Sequence, residues 1–298
     1  MDLNKTQKEV VSLIKRSEKI LIMPSAPPDG DSLGAALALY LLLKKVGKET
    51  TVVCVDPVPD VYQFLPESQI IGDRIVASKD FIISIDCRKA SVETIKSNVE
   101  TDKINIIVTP KIGRFSEQDV SFNYGPAKYD LIIVVDTGSL DQLGKLYTDN
   151  VEMFNQVPVL NIDHHISNEQ FGRVNYIDIM AASTTELLIP IVEAFSKEKN
   201  EDLMNEVIAT LLLAGIVTDT GSFQNSNTTP KAFDDAAKLI ASGARQQEII
   251  QHVYKTKELS TLKLWGRTLS KIQVDDSHKI VWSTVTRKDF ESTESREE

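Results

Sequence analysis

The chain has 298 residues, 42% of them hydrophobic, enough for one large α/β domain or two smaller ones. No run approaches the roughly 18 apolar residues of a membrane span. Met1-Asp2-Leu3-Asn4-Lys5 lacks a signal peptide's layout, and Cys54 and Cys87 set no disulfide framework, so a cytoplasmic protein that does not contact membranes is expected. The net charge of −10, with no basic cluster beyond Lys255, Lys257, Lys263 and Arg267, argues against holding long duplex DNA.

Asn4 to Arg16 is predicted as an amphipathic helix with Val10, Val11, Leu13 and Ile14 on one side. Lys19 to Met23 is a continuous apolar run, as in a buried parallel strand, and it ends in a Pro/Gly-rich loop from Pro24 to Asp31. Ser32 is placed as the cap of the next helix, Leu33 to Lys48, which is apolar on most sides; Thr50 to Val55 completes a βαβ start. Phe81–Asp86 and Leu131–Asp136 resemble each other closely. Between them, Val92 to Tyr124 alternates β-branched and polar residues and is read as a β-rich hairpin region inserted at about 65–128.

Val157 to Ile162 is the next predicted strand and runs directly into Asp163. Helices are expected at about Thr184–Phe195, Asp202–Val217, Lys231–Ser242, Gln246–Tyr254 and Lys257–Lys271. Lys271–Val274 and Lys279–Val285 form a hairpin about Asp275-Asp276-Ser277, and the tail after Phe290 is too polar to pack. The expected architecture is therefore α/β. A mostly parallel sheet flanked by helices fills 1–270, and 271–298 holds a hairpin that opens a second domain, then a disordered acidic tail.

Carboxylates and imidazoles follow the apolar strands, where open α/β sheets bind ligands. Asp29-Gly30-Asp31 lets one carboxylate face each of two neighbouring ions, with Gly30 permitting close backbone approach. Ser32 then begins a helix whose free N–H groups suit a phosphate oxygen, although the same four residues also read as a plain capping turn. Asp136 is preferred to Asp86, which precedes Arg88-Lys89, poor company for a cation. Asp163-His164-His165 is the strongest local signal, since the whole chain has only four histidines; His252 and His278 are read as solvent-exposed. Asp219 ends an apolar helix, where a carboxylate is costly unless paired or metal-bound, and Thr220 to Phe223 offer hydroxyls and a ring to a substrate.

These stretches, with Ala182-Ser183-Thr184-Thr185-Glu186 and Gly215 to Thr229, resemble the DHH phosphoesterase superfamily and within it the nanoRNase and pAp-phosphatase branch. The resemblance covers about residues 1–270 apart from the insertion. It implies two divalent ions, Mn²⁺ or Mg²⁺: Asp29 and Asp136 on the first, and Asp31, Asp136, His164 and Asp219 on the second. His165 would touch the scissile phosphate, Asp163 would orient the histidine pair, and Ser32, Thr220 and Phe223 would meet the substrate. Ser25 stands where the family has a histidine and weakens the first site, and no Gly-Gly-Gly-His motif of the family's C-terminal substrate domain is present. The expected function is hydrolysis of phosphate esters in short oligonucleotides or nucleotides, by a monomer or a homodimer. The competing reading is a catalytically degenerate metal- or nucleotide-binding module.

Overall fold

The structure is a computed structural model that describes residues 3–75, 81–124, 128–255 and 259–295. Its centre is a five-stranded, all-parallel sheet of order β2-β1-β7-β8-β9. The strands are β1 (Lys19–Met23), β2 (Glu49–Val52), β7 (Leu131–Val135), β8 (Val159–Asp163) and β9 (Val174–Ile177). The apolar runs are continuous because both faces are covered. Ile20, Ile22, Ile133, Val135, Leu160 and Ile162 face the larger core. Leu21, Met23, Ile132, Val134 and Val159 face the smaller one, under α3 (Lys145–Thr148) and α4 (Val151–Gln156).

The larger core is built by α1 (Leu3–Arg16), α2 (Gly30–Lys45), α5 (Thr184–Lys199), α6 (Glu206–Asp219), α7 (Pro230–Ala241) and the short α8 (Gln246–Ile250). Helices α2 and α6 are apolar nearly all round and accordingly lie buried in the middle of that layer. Their backbones touch through small residues. A Cβ built on Gly34 would lie 2.5 Å from the Leu211 carbonyl oxygen.

Four expectations change. Helix α2 starts at Gly30, not Leu33, because Asp29 is its N-cap and Ser32 is the third residue of a capping box. Leu65 is buried in the main core and Gly72 bridges to Val53, so the stretch around them belongs to the α/β core. The outlying part is two antiparallel ribbons. In one, β3 (Phe81–Ile85) pairs with β6 (Val120–Tyr124); in the other, β4 (Ser91–Val99) pairs with β5 (Ile104–Ile112). The remainder of the 65–128 span, 76–80 and 125–127, lies outside the described residues.

The third change concerns α9 (Leu259–Leu269), assigned by sequence to the first domain. Its Ser260 carbonyl accepts from Ser295 Oγ and its Arg267 pairs with Asp289, so it joins the C-terminal unit with the hairpin β10 (Gln273–Asp275) and β11 (Ile280–Trp282). Fourth, the tail is ordered at its start: α10 (Arg287–Thr293) buries Asp289 and Thr293, because a Thr286–Asp289 capping box and Lys271 satisfy the Asp289 carboxylate. Lys257 and residues 296–298 lie outside the described residues. Among the described residues, no helix is long and apolar enough to cross a membrane.

Gly34→Ala is expected to destabilise the chain by roughly 1–3 kcal/mol, the usual cost of overpacking a well-filled core. Urea unfolding checks it; an unchanged midpoint would show that α2 and α6 can separate without cost.

Candidate metal centre

In the sheet order, β1 and β7 are the pair from which successive connections run in opposite directions. The crevice outside their carboxyl ends is the usual ligand site of an open α/β sheet. Asp29 and Asp31 follow β1, Asp136 follows β7, and Asp163 to His165 end and follow β8.

Each side chain is held for a local reason. Asp29 caps α2, its Oδ1 accepting from Asp31 N at 3.1 Å and Ser32 N at 2.9 Å. Gly30 lets this turn press on α6, since a Cβ there would lie 2.5 Å from the Thr218 side chain. Asp31 is thereby brought to Asp219, the last residue of α6. Asp136 adopts a left-handed backbone (φ 55°), a conformation aspartate tolerates better than most residues.

The first turn of α5 grips two of these acids. Asp31 accepts from Thr184 N (2.6 Å), Thr185 N (3.0 Å) and Thr185 Oγ1 (2.7 Å). Asp136 Oδ1 accepts from Thr184 Oγ1 at 2.9 Å. Behind that turn, Glu186 accepts from Ala182 N and from Lys231 Nζ of α7.

His164 Nδ1 lies 3.3 Å from the Ala181 carbonyl oxygen, which only accepts, so Nδ1 carries the proton and Nε2 the lone pair. That Nε2 is buried without a hydrogen-bond partner, 3.6 Å from Asp136 Oδ1 and 3.3 Å from Asp219 Oδ2. His165 Nδ1 sits 2.8 Å from Asp163 Oδ1. Asp163 is itself fully buried and takes bonds from the His164 and His165 amides and from Asn168 Nδ2.

The ligand atoms of Asp31, His164 and Asp219 lie within 4.8 Å of one another, as do those of Asp136, His164 and His165. Asp29 is in neither group, although its charge acts on Asp31, Asp136 and Asp219. The other sequence-derived residues have partners of their own. Ser32 is buried and its hydroxyl is engaged with Asp29. Thr220 is buried, donating to the Ile216 carbonyl and accepting from Phe223 N. Phe223 is half-buried and stacks on Phe233.

Asp86 is bound to Arg88, which holds its carboxyl down at about 2. His252 is exposed and stacks on Phe64, and His278 is exposed beside Asp275. The sequence reading gave no role to Thr184, Thr185, Asn168, Glu186 or Lys231, although all but Lys231 lie in the stretches that carry the resemblance. The signal for the first two was the Ser183-Thr184-Thr185 run at a helix start, which by itself reads only as a cap.

Burial, then the charge of Asp29, lifts the Asp31 carboxyl above its usual range. Asp136 is raised further, by burial and then by Asp31, Asp29 and Asp163. Asp219 is pushed up to about 6 by burial and then by Asp31. Burial opposes ionisation of Asp163 too, but the bonds from His165 and Asn168 outweigh it and hold that carboxyl down. Massed carboxylates around a bare imidazole lone pair, with oxygen and nitrogen donors and no sulfur, fit a divalent cation such as Mn²⁺ or Mg²⁺.

The raised carboxyls have a pH consequence. An acid whose folded pKa lies above its unfolded value stabilises at low pH, and that contribution is lost as pH rises through the folded value, about 6 for Asp219. Between pH 5.5 and 7.5 the chelated chain should therefore lose stability on this account. Mn²⁺, competing with protons for the same oxygens, should raise Tm more at pH 7.5 than at pH 5.5. Scanning calorimetry measures both shifts; equal shifts would contradict the reading.

The DHH family, N-terminal domain, matches residues 19–216. Over 266 residues the chain is 26% identical to the bifunctional oligoribonuclease and PAP phosphatase NrnA of Thermus thermophilus, covering 88% of this chain and 62% of that one. Over 169 residues it is 29% identical to the NrnA of Bacillus subtilis, covering 54% of this chain and 51% of that one. It thus spans less than two thirds of either relative. An exopolyphosphatase-related protein from Bacteroides fragilis superposes with a TM-score of 0.73 at 19% identity, covering 98% of this chain and 73% of that one, and so has the same fold. With the family match running from β1 into α6, through the segments that carry Asp29, Asp31, Asp136 and Asp163 to His165, the chain belongs to the DHH family.

Proposed function

We propose that the chain hydrolyses phosphate esters of short oligonucleotides or nucleotides with the help of divalent ions. The observation that carries this reading is the buried Nε2 of His164, a lone pair without a partner facing Asp136 and Asp219. Two relatives whose names describe action on oligoribonucleotides and PAP support the substrate class. The net charge of −10 supports a small substrate over a long polyanion.

Asp31, Asp136, His164 and Asp219 would hold one ion, and Asp29 with Asp136 a second, weaker one beside Ser25. When bound, two such ions lower the pKa of a water and draw charge from the phosphate oxygens. The protein's own part is orientation. Thr184 and Thr185 fix the Asp31 and Asp136 carboxylates, and the Ala181 carbonyl fixes the His164 tautomer. The Asp163 bond raises the His165 pKa, against the effect of its burial, and favours the ring form that offers Nε2–H to a phosphate oxygen. Half of the His165 side chain is exposed (49%), so a substrate can reach it.

A second reading, binding without turnover, is favoured by Ser25 and by Asp29, whose Oδ1 is taken by the α2 cap.

With Mn²⁺ the chain should cleave short RNA or 3′-phosphoadenosine 5′-phosphate, and chelation should stop it. Asp136→Asn is expected to lower kcat/KM by at least about 100-fold, more than loss of a residue that only supports a ligand. No turnover at high enzyme, with Asp136→Asn indistinguishable, would leave only the second reading. Ser25→His should raise activity if the first ion is limiting. Calorimetry that finds two tight Mn²⁺ sites in the unaltered chain would remove the case for binding alone.

A further inference from the structure

Immediately beyond Asp219 and Thr220 the backbone does something a helix end does not require. Gly221, Ser222 and Phe223 are consecutive left-handed residues, with φ of 55°, 58° and 66°. One such residue suffices to stop a helix, and residues with a Cβ adopt the conformation at a cost. The surroundings over-determine this turn. Ser222 N donates to the Val217 carbonyl at 2.7 Å, and Gln224 N and Asn225 N both donate to the Thr220 carbonyl at 2.9 Å. Phe223 N donates to Thr220 Oγ1 at 3.1 Å. Asn225 Nδ2 ties the turn back to the Asp219 carbonyl at 3.0 Å.

The product of the strain is a ring in a set place. Phe223 leans on the main core and stacks on Phe233, in the first turn of α7, with centroids 4.7 Å apart and planes 20° from parallel. Phe233 is 54% exposed, so the pair does not close a core. Two stacked rings, one on the turn that leaves Asp219 and backed by the core, the other on α7 and open to solvent, thus stand together. Strain held in place by several bonds beside a functional site is a reason to look for a ligand.

We propose that Phe233, backed by Phe223, is a stacking platform for the planar base of a nucleotide whose phosphate lies at the acidic centre. The proposal rests on the phosphoesterase reading for the position of the phosphate. Stacking takes every base, since each has a π face, so the platform would secure a nucleotide with little base preference.

The test uses the full chain with Mn²⁺, a dinucleotide, and its analogue with the base removed from the residue nearest the scissile phosphate. The native chain should prefer the base-bearing substrate in kcat/KM by about tenfold, the usual worth of one base on an aromatic ring. Phe233→Ala and Phe233→Leu should collapse that ratio toward one, mainly through KM, while Phe233→Trp keeps it. A purely packing role for the ring would let Leu substitute, and an unchanged ratio in the Ala variant would overturn the proposal. Equilibrium binding of AMP with Mn²⁺ separates the two readings. If no form turns over yet Phe233→Ala weakens AMP binding about tenfold, the platform stands and the hydrolase reading falls. If AMP binds the native and Ala forms alike, the platform falls.

Discussion

Four hydrogen bonds from two threonines at the start of α5 hold two buried, mutually repelling carboxylates in place. Asp31 and Asp136 arrive from different strands; burial and the charge of Asp31 make Asp136 costly to ionise, and burial with Asp29 does the same to Asp31, a cost that the threonine donors partly offset. The neighbouring packing follows from that grip. Gly215 of α6 is a glycine because a Cβ there would run into Thr185 and Asp31. Gly30 and Gly34 let α2 lie against α6 closely enough for Asp31 to reach the turn. Lys231 and Glu186 then brace the turn from the α7 side through Ala182.

How far this was legible in the sequence varied with the range of the forces involved. Lys19–Met23 is a strand with the predicted bounds and Leu131–Val135 ends one residue short of the Leu131–Asp136 run, because burial on both faces leaves continuous apolar runs. Val174–Ile177 was not foreseen: at an edge of the sheet it keeps a polar Asn175 among four residues, and short mixed segments carry little pattern. The helix cap went to Ser32 in place of Asp29 because both residue types cap well and a capping box uses both. Asp31, Asp136, His164 and Asp219 were recognisable because costly groups follow apolar runs. Thr184 and Thr185 were not assigned, since a hydroxyl at a helix start looks local until its partner in another element is known.

The bonds to Asp163 show the same principle one layer out. Asn161 donates to Asn168, Asn168 to Asp163 and to the Thr137 carbonyl, and Asp163 fixes the two histidine amides and the His165 ring. A fully buried acid is thus held toward its ionised form by donors and by the charge of His165, while its neighbours Asp31, Asp136 and Asp219 are pushed toward the neutral form. The centre therefore contains one anion that serves as scaffold and several held ready for a cation.

The parallel core of the sheet adds a dimension of time. Asp136 and Asp163 sit at the ends of β7 and β8, interior strands whose amides are paired on both sides and sealed under helices. Such amides exchange with solvent only when the whole domain opens, whereas loops exchange through small local excursions. The spacing of these two acids is then as long-lived as the folded chain itself, and ions can come and go many times while the frame that receives them never lets go.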